Sequence, residues 1–165
     1  MSKRRIETYI PIVQEFSSRM VFFHAAIAHR LDLHLTDLKA LHLLGPKPMT
    51  AGVLAEQVGL TLPAVTALID RLEKAGYVVR ERASKDRRKV TVQVVPKSLE
   101  KVNRLYDGQY ARMSKIFSSY SHEQFTTIMG FLEKTNQVLL EEAATVNRSL
   151  VTDQKANRVR TVRHE

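Results

Sequence analysis

The chain has 165 residues, of which 44% are hydrophobic and 26% charged, so it can bury a core and is not a disordered chain. It has no cysteine, which excludes disulfide scaffolds, thiolate zinc sites and thiol redox switches. Its formal net charge of +9 attracts polyanions such as nucleic acid. The sequence contains neither a bilayer-spanning apolar run nor the apolar core of a signal peptide, so we expect a cytoplasmic location without membrane contact.

A long amphipathic helix is predicted near the N-terminus, over residues 5–31. Pro11 near its start should either kink the helix or mark the point where regular helix begins. One side of this helix is so apolar that it needs a partner, which is its own domain, a second subunit, or both. The apolar residues recur in steps of three or four: Ile6, Ile10, Val13, Phe16, Met20, Phe23, Ile27 and Leu31.

Two short helices follow, each with local start and stop signals. The first can be capped by Thr36 or Asp37 and stops at Gly45. Thr50 is expected to cap the second, which ends at Gly59. A tight turn therefore separates this second helix from whatever comes next.

A third helix is predicted from a cap at Thr61 to about Ala75, with Gly76 as its end. Pro63 falls in its first turn, where a missing N–H costs nothing. Four apolar residues should face inward: Val65, Leu68, Ile69 and Leu72.

After Gly76 the pattern changes to alternation, which predicts strands over 77–82 and 89–95 joined by a basic turn. Helical spacing resumes over 97–120. Ser121 and Gln124 match a capping box that opens the last helix. From Asn147 the chain is polar and basic, and we interpret it as a mobile tail of unassigned role.

The helix that starts at Thr50 and the helix that starts at Thr61 are joined by a tight turn and followed by a basic hairpin. This order indicates a winged helix-turn-helix. The predicted fold class is mainly α with a small β-hairpin wing (α+β), flanked by long N- and C-terminal helices. The second helix of the pair can enter the major groove of DNA. Its exposed face would offer six residues, with Arg71 one turn further on: Thr61, Pro63, Ala64, Thr66, Ala67 and Asp70. The alternative interpretation of the wing is a solvent-exposed hairpin that does not bind DNA, whose charges only protect its edge.

Anion binding is also expected at two helix starts and at the wing. The N–H groups that open the helices at Thr50 and Thr61 suit phosphate oxygens. The hairpin tip carries Lys85, Arg87 and Arg88, and arginine is favoured in a narrow minor groove. Double-stranded DNA is therefore the expected partner.

The segment 60–80 reads LTLPAVTALIDRLEKAGYVVR and is followed by Asp86, Arg87 and Arg88. It resembles the MarR family of bacterial transcription regulators. That family has a recognition helix opened by Ser or Thr, an Asp-Arg-Leu-Glu-x-x-Gly turn into the wing, and an Asp-x-Arg signature at the wing. The resemblance extends over residues 5–144.

The resemblance implies a homodimeric regulator, expected to be a repressor, at a pseudo-palindromic operator. It implies that Arg88 enters the minor groove and that Asp86 holds the wing and orients Arg88. It also implies three regions: an N-terminal dimerisation helix (5–34), a DNA-binding lobe (35–96) and C-terminal dimerisation helices (97–146). The basic tail (147–165) extends beyond the usual end of the family.

Relatives of this kind respond to small aromatic or lipophilic compounds in a cleft between the dimerisation helices and the DNA-binding lobe. Carried over to this chain, that cleft would use seven residues: Phe23, His24, Ile27, His42, Tyr106, Tyr110 and Met113. A place in the hydrophobic core explains these seven residues equally well.

Three alternatives remain open. Zinc could be held by histidines such as His24, His29, His34 or His42, although no His-x-x-x-His pair exists, and we expect no metal or other cofactor. A winged-helix module that binds protein rather than DNA is the second. An enzyme is the third and the least supported, because the sequence has no phosphate-binding glycine loop and no nucleophile elbow.

Overall fold

A computed structural model of the chain describes residues 3–45, 47–82 and 90–162. It divides into two compact units, Met1–Gly108 and Gln109–Glu165. The elements in chain order are α1 (Lys3–Arg30), α2 (Leu35–Leu44), α3 (Ala51–Val58), α4 (Leu62–Lys74), β1 (Val78–Arg82), β2 (Val90–Val94), α5 (Pro96–Arg104), α6 (Asp107–Phe117) and α7 (His122–Val162). The predicted class, mainly α with a β-hairpin, is confirmed.

The helix-turn-helix is formed by α3 and α4, whose axes bend by 107°. The Thr50 and Thr61 side chains cap the two helices, because each Oγ1 accepts a hydrogen bond from the backbone N–H three residues later, at 3.4 Å. Gly59 ends α3 in the left-handed region, with φ of 76°, and its N–H donates to the Ala55 carbonyl at 2.9 Å. The predicted caps and turn are confirmed.

The core of the first unit is built mainly by α2, α3 and α4, with the end of α1 and parts of the hairpin and α5 packed on it. The four residues expected to face inward on α4 are all buried: Val65, Leu68, Ile69 and Leu72. Burial of this face fixes which side of α4 remains in solvent.

The hairpin is antiparallel, with Arg80 opposite Val92. Met49, just before α3, pairs with Val92: the Val92 N–H donates to the Met49 carbonyl at 2.8 Å, and the Met49 N–H donates back at 3.1 Å. The base of the hairpin is thereby joined to the helix-turn-helix. The predicted basic turn at the hairpin tip, residues 83–88, lies outside the described residues.

Two expectations about helix boundaries were wrong. Neither Thr36 nor Asp37 caps α2, which begins at Leu35 after His34, because the Asp37 side chain instead faces inward and bonds to α4. The single helix expected over 97–120 is two helices. The turn between them tightens where the Tyr106 N–H donates to the Asn103 carbonyl at 2.8 Å, an i→i−3 bond.

The remaining differences concern the two longest helices. Pro11 lies inside α1, which extends to its N-terminal side. The boundary that we drew at residue 147 for a basic tail falls inside α7. In the described chain, no single helix is long and apolar enough to cross a membrane, and only the bent pair of α3 and α4 has the length and composition to do so together.

The second unit contains most of α6 and all of α7. Ser121 and Gln124 form the predicted capping box: the Ser121 N–H donates to Gln124 Oε1 at 2.8 Å, and the Gln124 N–H donates to Ser121 Oγ at 3.2 Å. The Phe117 and Phe125 rings meet edge-to-face with centroids 5.3 Å apart.

Candidate nucleic-acid interface

The solvent face of α4 carries the predicted contact residues. Thr61, Pro63, Ala64 and Thr66 are all exposed, opposite the buried face, and Arg71 follows further along the helix. The Thr66 hydroxyl donates to the Leu62 carbonyl at 2.9 Å. This bond leaves the lone pairs of the oxygen available as acceptors, and the methyl group is suited to an apolar contact with thymine.

Arg71 is held by a buried acid. Its Nη2 and Nε donate to the two Asp37 carboxylate oxygens at 2.7 and 3.4 Å, which joins α4 to α2. The Asp37 side chain is 3% exposed and that of Arg71 47%. Hydrogen bonding to Asp37 raises the pKa of Arg71. From the sequence, Arg71 was predicted to contact DNA and Asp37 to cap α2. Their pairing was not predicted, because the two residues are 34 positions apart and no local pattern indicates it.

Arg80 of β1 is a second link to α4. Its Nη2 donates to Asp70 Oδ1 at 2.6 Å, and its Nη1 donates to Glu73 Oε2. The Arg80 backbone N–H also donates to Glu73 Oε1, at 3.2 Å. One guanidinium therefore bridges the two acids of the Asp-Arg-Leu-Glu stretch and fixes the hairpin to α4. No local sequence pattern indicates this clamp, because it connects different elements.

The positive charge near α4 is smaller than the sequence suggests. Arg71 and Arg80 are both in ion pairs. Among the described residues from 71 to 82, Lys74 and Arg82 are exposed and have no ion pair. The predicted wing contacts Lys85, Asp86, Arg87 and Arg88 lie outside the described residues. Thr50, the remaining predicted contact, caps α3 and is half-buried.

Four of the seven residues proposed for an effector cleft form an aromatic cluster in the first unit. The Tyr106 ring lies 5.6 Å from Phe23, 6.0 Å from His24 and 5.2 Å from His42, between centroids. Ile27 is buried in the adjoining core. Tyr110 and Met113 belong to the second unit.

The two histidines of the cluster also line a mainly apolar cavity of about 400 Å³ at α1 and α2. Partial burial, and secondarily the charge of His24, lowers the pKa of His42 below 6.5. The sequence missed five lining residues, because the crossing of the two helices brings them together: Val21, Leu35, Thr36, Leu38 and Lys39.

A metal centre finds no support in the part of the chain that the structure describes. No group of three or more His, Asp or Glu side chains is arranged there to hold an ion. The His24 and His42 rings approach each other, with centroids 5.9 Å apart, but no third such ligand joins them.

Comparison with known proteins assigns the chain to a family. The MarR family model matches residues 31–89. The HTH-type transcriptional regulator YcgE of Bacillus subtilis is 36% identical over 137 residues, which cover 82% of this chain and 89% of that protein. The chain belongs to the MarR family. It is therefore a DNA-binding transcription regulator, and the family assignment made from residues 60–88 is confirmed.

The chain is also similar to a repressor and to a protein solved on DNA. The HTH-type transcriptional repressor YetL of Bacillus subtilis is 26% identical over 82 residues, or 48% of this chain and 49% of that protein. The crystal structure of Streptococcus pneumoniae FabT in complex with DNA has a TM-score of 0.64 at 22% identity, over 85% of this chain and 99% of that chain. The winged-helix fold is thus confirmed.

Proposed function

We propose that the protein is a homodimeric repressor that seats α4 in the major groove of a pseudo-palindromic operator. The observation that carries the proposal is the two-sided character of α4. Its inner face is buried, and its outer face is a row of small and hydroxyl side chains through which the backbone can approach base edges. The FabT–DNA complex and the name of the relative YetL support a repressor on DNA.

Phosphate contacts would position α4. The first turns of α3 and α4, after Thr50 and Thr61, have backbone N–H groups without partners inside the helix, and such groups suit phosphate oxygens. Exposed Lys74 and Arg82 would add charge. In this proposal Arg88 of the wing enters the minor groove, and Asp86 orients it.

Dimerisation is proposed through the terminal helices, which carry large apolar side chains in solvent. On α1, Phe16 is 57% exposed and Phe22 74%; on α7, Val138 is 56% and Leu140 60%. Exposed apolar area of this kind marks a surface for a partner. A two-fold dimer would present two copies of α4 and therefore select a pseudo-palindrome.

An effector would bind beside the aromatic cluster. The cavity of about 400 Å³, with Val21, Leu35 and Leu38 on its walls and His24 and His42 as polar groups, suits a small aromatic or lipophilic compound. Such a ligand would release DNA if it changed the separation of the two α4 helices. We place this regulator in the cytoplasm, where its operator is, and assign it no enzymatic activity.

The experiment is selection of genomic fragments on the purified protein, followed by footprinting of the retained duplexes. We expect two protected segments centred roughly 10 base pairs apart, related by inverted sequence. A single protected segment without inverted symmetry would contradict the dimeric arrangement.

The wing is tested in the same duplexes with Arg88→Ala. Loss of a minor-groove arginine should weaken operator binding by roughly tenfold or more, with thermal stability unchanged. Arg19→Ala, an exposed change on α1, is the control and should bind as the wild type does. Equal binding by the Arg88 variant would remove the wing from the interface.

A further inference from the structure

A second cavity in the first unit lies where the end of α1 meets α5, and it is lined mainly by positive charge. Its volume is about 560 Å³, within the range of small-molecule sites. None of its lining residues belongs to the aromatic cluster. They are four cations, one acid and two leucines: Arg30, Lys97, Lys101, Arg104, Glu100, Leu31 and Leu105.

The charged residues share one face of α5. Lys97 is three and four positions before Glu100 and Lys101, and Arg104 is four and three positions after them. Residues three or four apart are neighbours along a helix face. Arg30 adds a further cation from the last turn of α1. Within the described residues none of these four cations takes part in an ion pair, so the cavity has a surplus of about three positive charges.

The walls are held in place by contacts that do not consume this charge. The Tyr77 hydroxyl donates to the Leu31 carbonyl at 3.2 Å and joins the start of the hairpin to the end of α1. Ser98 Oγ donates to the Gly76 carbonyl at 2.8 Å and holds the first turn of α5. Lys101 Nζ lies 5.8 Å from the centre of the Tyr77 ring.

The lining also has an apolar part. Leu31 is 6% exposed, and Leu105 packs partly buried against the core. Because Leu31 is almost fully buried, the apolar surface open to a ligand comes mainly from Leu105 and from the carbon stems of the lysines and arginines. Such a lining recognises a ligand that is itself amphipathic, because its charge pairs with the cations while its carbon body covers this surface.

We propose that this cavity binds a small organic anion of two or more negative charges on an apolar body, such as a phosphate ester or an aromatic dicarboxylate. The site is separate from the proposed effector cavity, and the proposal does not depend on operator binding. Four cations against Glu100 favour a dianion over a monoanion, because each further unit of ligand charge gains attraction.

The test is calorimetric titration of the full chain, without DNA, in about 150 mM NaCl at about pH 8, where a phosphate ester is dianionic and distant charges are screened. The probe is 1-naphthyl phosphate. Two controls separate its parts: 1-naphthol has the body without the charge, and inorganic phosphate has the charge without the body. We expect the probe to bind at least roughly tenfold more tightly than either control.

Variants tie the binding to this cavity. Lys97→Met with Arg104→Met removes two exposed charges and should weaken the probe at least roughly tenfold, at about fivefold for each solvent-screened charge. Glu100→Gln should strengthen it, which simple damage to the fold would not do. Lys115→Met, an exposed change on α6, is the matched control.

Each other result overturns the proposal. Binding of naphthol or phosphate as tightly as the probe would remove the charge or the apolar body from recognition. Equal affinity of the double variant and the Lys115 control would place the probe elsewhere, and absence of binding would mean that the cavity takes no such anion.

Discussion

Asp37 has a larger structural role than its position in the sequence suggests. Its carboxylate is buried beneath the helix-turn-helix, and Arg71 of α4 is the charged partner that compensates it. A buried carboxylate without a partner is costly, so the pair fixes the rotation of α4 about its axis as well as its distance from α2. The same pairing restrains Arg71, which is one of the proposed DNA contacts.

Removal of Arg71 therefore tests the pair. Arg71→Met should lower the free energy of unfolding by about 2–3 kcal/mol, less than for a fully buried pair because the guanidinium is 47% exposed. Asp37→Asn in that background should recover part of the loss, since no uncompensated charge remains. Denaturant titration of the four proteins of this cycle measures the coupling, and additive losses would contradict it.

His42 is the other residue with a testable property. Its lowered pKa means that the unfolded chain binds more protons than the folded one just below pH 6.5, so stability falls as the pH drops through that value. His24, Lys39 and Tyr106 are the titratable groups around it. Unfolding free energies between about pH 7.5 and about pH 5.5 should decline less in His42→Gln than in the wild type. An equal decline of the unfolding free energy with falling pH in both proteins would mean that His42 does not cause the decline.

At the scale of elements, the position of the hairpin depends on Arg80. Arg80→Ala should uncover the Asp70 and Glu73 carboxylates beside the proposed phosphate contacts. We expect roughly tenfold weaker duplex binding and a loss of about 1 kcal/mol in stability, because the pairs are partly exposed. Arg19→Ala, which breaks an exposed pair with Glu15, is the matched control. Wild-type affinity in the Arg80 variant would contradict the clamp.

Base reading by α4 is tested with Thr66→Val, which keeps the shape of the side chain and removes its oxygen. Preference among operator variants should change by roughly fivefold or more, while binding to unrelated duplexes stays the same. Thr126→Val in α7 is matched, because that hydroxyl makes the same bond to the carbonyl four residues earlier, at 2.9 Å. An unchanged preference would mean that Thr66 does not read bases.

Features encoded within a few residues could be predicted from the sequence. Thr50, Gly59 and Thr61 form or end their helices through bonds to neighbours three or four positions away, and the buried face of α4 follows from its periodicity. The Asp37–Arg71 and Arg80–Glu73 contacts join different elements, so neither propensity nor spacing indicates them. The break between α5 and α6 was hidden because apolar spacing continued across it.

At the scale of the whole molecule, two properties fit a dimer that binds DNA: the net charge of +9 and the large apolar side chains in solvent on α1 and α7. The apolar faces are proposed to close a dimer, and the charge to attract a duplex. Phosphate neutralisation releases counterions, so the affinity of such a complex must fall steeply with salt.

The most direct test is the salt dependence of binding to a retained duplex, with the number of chains per duplex measured in parallel. We expect two chains per duplex and a slope of log affinity against log salt of roughly −5 or steeper. A monomer that binds no duplex even at low salt, or binding that does not respond to salt, would contradict the central claim.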